Sequence, residues 1–99
     1  MSARDKVLVT GLGPVGLSVS LLATHLGCDV TGVDYVRERC SMAEELGVVR
    51  RAVCTAGLED QECLESVRDG GSGFHVAVDC SGTEKARLLA LNGLLTIKC

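Results

Sequence analysis

The chain has 99 residues, 46% of them apolar and 23% charged, with a net charge of −3; this is the size of one small domain with a single core, and the composition argues against disorder. No cluster of lysine and arginine interleaved with aromatics is present to hold a nucleic-acid backbone. The longest strongly apolar stretch, Val15 to Leu26, is broken by Ser18, Ser20, Thr24 and His25 and is too short to span a bilayer.

Met1 to Lys6 lead straight into an apolar run with no signal region, so a cytoplasmic protein is expected. Val7 to Thr10 then meet Gly11-Leu12-Gly13-Pro14-Val15-Gly16, and an apolar stretch continues to Leu26. This reads as strand, glycine turn, helix. The G-x-G-x-x-G spacing gives each glycine a separate steric task in a dinucleotide-binding unit. Gly11 permits the tight turn off the strand, Gly13 lets the backbone approach a pyrophosphate, and Gly16 allows close helix-strand packing. Amides at the start of the next helix lack intrahelical partners and carry the positive end of its dipole, so an anion is stabilised there. Pro14, with a fixed φ and no N–H, suits the first helical turn. The plainer alternative is a turn that uses glycine for packing alone. The helix is expected from Pro14 to about Leu26, capped by Gly27. Val15, Val19, Leu22, Ala23 and Leu26 keep helical spacing and Leu17 and Leu21 widen the stripe, so nearly the whole helix is expected to be buried.

Asp29 to Asp34 is the second strand, with its carboxylate at the C-terminal end, where open parallel sheets bind ligands. Asp34 lies 23 residues after Gly11, close to the interval of about 20 for a ribose-binding acid. Such an acid accepts hydrogen bonds from ribose hydroxyls and repels a 2′-phosphate, which points to NAD rather than NADP. Asp34 would equally serve as N-cap of the next helix, and the two roles are compatible. Val36 to Leu46 is that helix, with Cys40, Ala43 and Leu46 toward the sheet, Arg37, Glu38, Glu44 and Glu45 outward, and Gly47 as its stop. Val48 to Cys54 is a third strand whose Arg50 and Arg51 suit an edge, with phosphate contact as the other reading.

Leu58 to Val67 is a third helix and Asp69 to Gly73 a loop. Phe74 to Cys80 is the fourth strand, followed by a Ser81-Gly82 turn at the same sheet edge as Gly13 and Asp34. Thr83 to Leu91 is a short helix, and a last strand lies within Gly93 to Cys99. The fold class is therefore α/β, a doubly wound parallel sheet of Rossmann type with about five strands in the order 3-2-1-4-5. Its cofactor crevice lies at the reversal between strands 1 and 4. Six cysteines, Cys28, Cys40, Cys54, Cys63, Cys80 and Cys99, form no C-x-x-C and no paired cysteine-histidine spacing. They read as small buried hydrophobes rather than metal ligands.

Val7 to Gly16, Val33-Asp34 followed by Arg37 to Arg39, the helix end Ala43-Glu44-Glu45-Leu46-Gly47, and Val78-Asp79-Cys80-Ser81-Gly82 together resemble the cofactor-binding domain of zinc-dependent medium-chain alcohol dehydrogenases. The resemblance covers almost the whole chain. It implies NAD(H) held by Gly11, Leu12, Gly13, Pro14, Val15 and Gly16, with Asp34 on the adenosine ribose, Arg39 near that ribose, and Cys80, Ser81 and Gly82 along the cofactor. Family members also carry a catalytic lobe, mostly before this domain, that supplies the zinc ligands. Here only Met1 to Lys6 precede the first strand, so neither zinc ligands nor catalytic residues are expected. The stretch after Gly82 lacks the family's Arg-Pro-Gly-Gly-like turn, and no sequence remains for a sixth strand. Residues 1–99 are thus expected to form a single NAD-binding Rossmann domain, a fragment of a larger dehydrogenase that is inactive in isolation. Its expected partners are NAD(H) and either the missing lobe or a second copy.

The function implied is the NAD(H)-binding module of an alcohol-dehydrogenase-type oxidoreductase, in whose parent enzyme hydride passes between an alcohol or carbonyl and nicotinamide. A non-catalytic nucleotide-sensing or interaction domain is the alternative. S-adenosylmethionine-dependent methyltransferases share the glycine turn and the later acid, but they usually place an acid where this chain has Thr10. Short-chain dehydrogenases are excluded, since the only tyrosine, Tyr35, is followed four residues later by Arg39 rather than lysine.

Overall fold

The structure is a computed structural model that describes residues 3–59, 62, 65 and 73–81. The elements are β1 (Lys6–Thr10), α1 (Pro14–His25), β2 (Asp29–Asp34), α2 (Arg37–Leu46), β3 (Arg51–Cys54) and β4 (Val76–Asp79). The four strands form one sheet in the order β3-β2-β1-β4, and all three pairings are parallel. The strand order reverses between β1 and β4, as expected for a doubly wound sheet. The expected fifth strand and fourth helix, and most of the third helix, lie outside the described residues.

β1 is central and buried on both faces, which is why its Val7-Leu8-Val9 run is continuous rather than alternating. Val7 and Val9 belong to the larger core with Leu12, Ala23 of α1, and Cys40 and Ala43 of α2. Leu8 points the other way and packs with Val33 and Phe74. All three β1 side chains are fully buried, each stabilising the fold by about 1.5–3 kcal/mol. β2 follows as expected to the residue. β3 begins at Arg51 rather than Val48, because Val48 still closes α2: its amide donates to the Ala43 carbonyl at 3.3 Å, and its own carbonyl accepts from Thr24 Oγ1 at 2.7 Å. β4 likewise begins at Val76, two residues later than expected. Arg50 forms an ion pair with Asp29 at 2.7 Å.

Two burial expectations are corrected. α1 is not buried on most sides: Val15, Leu21, Leu22 and Leu26 are 46–65% exposed, and its buried residues are Gly16, Ser20 and Ala23. The small residues form the fully buried part of the contact stripe, because they let the helix axis come close to the sheet, and the half-buried Leu17 and Val19 pack against the core beside them. On α2, Cys40 and Ala43 are buried as expected, whereas Leu46 is exposed, its position at the helix end carrying it past the sheet.

Ser20 is fully buried, yet its Oγ has no hydrogen-bond partner among the described residues. A buried hydroxyl left unpaired costs about 1–3 kcal/mol, and alanine is the better helix former. Ser20→Ala is therefore expected to stabilise the domain by about 1 kcal/mol, raising Tm by roughly 4–8 °C. Thermal unfolding checks this; a lowered Tm would show that the hydroxyl is satisfied in solution.

Candidate dinucleotide site

The turn after β1 is held by contacts within the chain. Gly11 has φ +93°, a left-handed conformation that side chains disfavour, and its amide donates to the Val33 carbonyl at 2.7 Å. A Cβ on Gly11 would stand 2.7 Å from the Ser81 nitrogen. A Cβ on Gly16 would overlap the carbonyl oxygen of Gly11. Both glycines are thus required by the protein's own backbone. Gly13 is not: its φ of −74° and ψ of −168° are open to any residue, and among the described residues the nearest atom to a Cβ there is Arg39 Nη1 at 3.9 Å.

Pro14 occupies the first turn of α1, and Gly13, its N-cap, contributes no side-chain cap. No acidic residue stands in that first turn. The ladder starts with the Leu17 amide donating to the Gly13 carbonyl at 2.9 Å, so the amides of Val15 and Gly16 precede it and carry the positive helix end.

Asp34 ends β2 beside this turn and is 5% exposed. Its Oδ2 accepts from the Leu12 amide at 2.8 Å and its Oδ1 from the Val36 amide at 2.8 Å. Arg39 Nη1 on α2 lies 3.6 Å from Oδ2, with the guanidinium half exposed. The N-cap of α2 is Val36, without a side-chain cap, so Asp34 braces the turn before the helix rather than capping the helix. Leu12 contributes to the site and to the core by different parts. Its side chain is buried over Gly32, where a Cβ would meet its methyl groups at 2.8 and 3.0 Å, leaving only its backbone at the turn.

On the other flank, Asp79 ends β4. Its Oδ1 accepts from Thr10 Oγ1 at 3.0 Å, the Ser81 amide at 3.0 Å and Ser81 Oγ at 2.8 Å. The Cys80 amide donates to the Thr10 carbonyl at 2.7 Å. Cys80 and Ser81 are therefore brought against Gly11, as the sequence order implied; Gly82 lies outside the described residues. Asp79 was missed in the sequence, although an acid closing an apolar run is the available signal.

The cysteines near the site are occupied with backbone. Cys40 Sγ lies 3.5 Å from the Asp34 carbonyl oxygen and Cys54 Sγ 3.7 Å from that of Tyr35. Burial, reinforced by Cys54, pushes the Cys40 thiol up to about 11, and burial together with Asp79 raises that of Cys80. Both are thereby kept protonated and poorly nucleophilic near neutral pH. Among the described residues no three His, Cys, Asp or Glu side chains come together to hold a metal ion, so no zinc chemistry is assigned to them. No helix among them is long and apolar enough to cross a membrane.

A parallel sheet in this order, with a glycine turn leading into a helix at its reversal point, defines an α/β unit of Rossmann type. The family model for zinc-binding dehydrogenases matches residues 14–95. An uncharacterized zinc-type alcohol dehydrogenase-like protein of Escherichia coli is 43% identical over 94 residues, covering 92% of this chain and 26% of that protein. Among solved structures, zinc-dependent alcohol dehydrogenase 2 from Streptococcus pneumonia superposes with a TM-score of 0.85 at 21% identity, covering 96% of this chain and 28% of that one. A mycobacterial protein solved in complex with NADPH gives 0.81 at 26% identity, covering 97% and 29%. The chain belongs to the zinc-binding dehydrogenase family, which bears out the resemblance to the cofactor-binding domain of zinc-type alcohol dehydrogenases, and it spans about a quarter of the relatives it matches.

Proposed function

We propose that this chain binds NAD(H) as the cofactor-holding part of an alcohol-dehydrogenase-type oxidoreductase, in whose whole form hydride passes between an alcohol or carbonyl and the nicotinamide. The observation that carries this reading is the contrast among the three glycines. Nothing among the described residues requires a glycine at position 13, yet it sits at the uncapped start of α1, where close approach of a pyrophosphate would need the missing side chain. In this reading the backbone of Gly11, Leu12, Gly13, Pro14, Val15 and Gly16 cradles the pyrophosphate. Asp34 takes the adenosine ribose with Arg39 alongside it, and the turn of Cys80 and Ser81, which Gly82 follows in sequence, contacts the cofactor. The nicotinamide would supply the hydride chemistry; these residues bind and orient it. Since one relative was solved with NADPH, the preference for NAD rests on this chain's own Asp34, whose charge repels a 2′-phosphate. A cytoplasmic location belongs to the same reading.

Calorimetric titration of the purified chain tests it. NADH is expected to bind at least about tenfold more tightly than NADPH, a difference of about 1.4 kcal/mol; a folded sample that binds neither refutes the reading. Gly13→Ala sharpens the test, because alanine tolerates that backbone and is expected to leave stability unchanged or raise it by about 0.4–1 kcal/mol. NADH affinity is nevertheless expected to fall by about tenfold or more, as the added methyl holds the phosphates away from the amides. Equal NADH affinity in the two proteins would return Gly13 to a packing role.

The exposed apolar residues Val15 and Leu22 of α1 and Leu26 at its C-cap favour a second reading, that of a domain whose association with another protein or a second copy responds to nucleotide. Light scattering with and without NADH separates the two, since a mass independent of cofactor counts against sensing.

A further inference from the structure

Asp79 gathers three donors on one carboxylate oxygen, and two of them belong to Ser81. The third, the Thr10 hydroxyl, comes from a fully buried residue opposite Asp79 in the β1–β4 register. This clamp fastens the turn after β4 to the end of β1 and presses the Ser81 backbone against Gly11, leaving no room there for even a methyl group. Along the C-terminal edge of the sheet, Asp34 on β2, the start of α1 after β1, and the Ser81 turn after β4 lie in that order. With neighbouring strands about 4.8 Å apart, β2 and β4 stand about 10 Å from one another. A dinucleotide with one ribose at Asp34 and its pyrophosphate at Gly13 therefore extends its second nucleoside over the Ser81 turn.

We propose that Asp79 is a positioning residue for that second nucleoside, holding the Ser81 turn at the height the nicotinamide half requires without touching the adenosine half. The proposal rests on the dinucleotide reading above and assigns a selective consequence to a residue outside the glycine turn. Thr10 shares the task through its hydroxyl.

The test compares NADH with ADP, which carries the adenosine and the diphosphate but lacks the second nucleoside, on the full chain. Asp79→Ala is expected to weaken NADH by about tenfold, as the loss of hydrogen bonds to a charged group implies, while changing ADP by less than about twofold. Thr10→Val, which keeps the shape and removes one donor, is expected to weaken NADH by about threefold with ADP again unchanged. Thr10→Ser, which restores the hydroxyl, should recover the lost affinity. Should Asp79→Ala fail to fold, the valine and serine pair decides the matter alone. Parallel loss of both ligands, or unchanged NADH affinity in folded Thr10→Val, overturns the positioning role. Wild-type chain that binds neither ligand overturns the dinucleotide reading, and this proposal with it.

Discussion

Replacing Gly16 with alanine is expected to destabilise the domain by about 1–3 kcal/mol and to weaken NADH binding by about a hundredfold, the scale on which displacements of about 1 Å act at a preorganised site. The added methyl would overlap the Gly11 carbonyl oxygen and lie 2.8 Å from the carbonyl carbon. Neither side can yield cheaply. Gly11 is fixed by its 2.7 Å bond to the Val33 carbonyl, and the Ser81 backbone blocks retreat on its other flank. α1 must then lift at its N-terminus, taking the Val15 and residue 16 amides away from any phosphate they would serve. Denaturant unfolding and calorimetry read the two effects separately. Wild-type stability together with wild-type NADH affinity would show that the turn has slack the structure does not display. Against Gly13→Ala, which loses affinity without losing stability, the pair separates a glycine needed for folding from one kept for a ligand.

Much of this architecture was legible because local and global signals agree. Pro14 and the preceding glycines fix the start of α1, and β2 runs from Asp29 to Asp34 as read, its apolar residues bounded by Gly27-Cys28 and by the acid. What failed has definite causes. Periodicity identifies residues sharing a stripe but not which stripe meets the sheet. On α1, Ala23 is buried and Val19 and Leu17 pack against the core as expected, whereas Val15, Leu21, Leu22 and Leu26 stay exposed and Gly16 and Ser20 complete the buried contact, because close approach favours small side chains. Val48 and Val49 are buried without belonging to a strand, and hydrophobicity alone cannot tell a strand from an apolar helix exit. Phe74 is likewise a plug against Leu8 and Val33, placed ahead of β4. At the site, chain spacing identified Gly11, Gly16 and Asp34, and the family resemblance added Arg39, which the fold places beside Asp34. It could not reveal that Leu12 sinks over Gly32 or that Asp79 ties Thr10 to Ser81, since both depend on pairings between segments far apart in sequence.

Asp34 carries both a structural and a ligand role, and Asp34→Asn is expected to expose each. In the native protein both carboxylate oxygens accept from backbone amides, Leu12 on one and Val36 on the other. An asparagine can present a carbonyl to only one of them, so its NH2 must face an N–H donor whichever way it is turned. One amide is left without its acceptor, at a cost of about 1–3 kcal/mol. The ligand effect runs through charge. With the carboxylate gone, the like-charge opposition to a 2′-phosphate disappears, and that opposition is worth several kcal/mol when desolvated. Arg39, now 3.6 Å from Oδ2, loses its anionic neighbour and becomes available to pair with that phosphate. NADH affinity is therefore expected to fall by about tenfold while NADPH affinity rises by a similar factor, reversing the preference. Titration of the folded variant with both cofactors measures this directly. A variant that loses stability but keeps the wild-type ratio of NADH to NADPH affinity would confine Asp34 to bracing the turn, and the choice of cofactor would then have to be sought elsewhere along the same sheet edge.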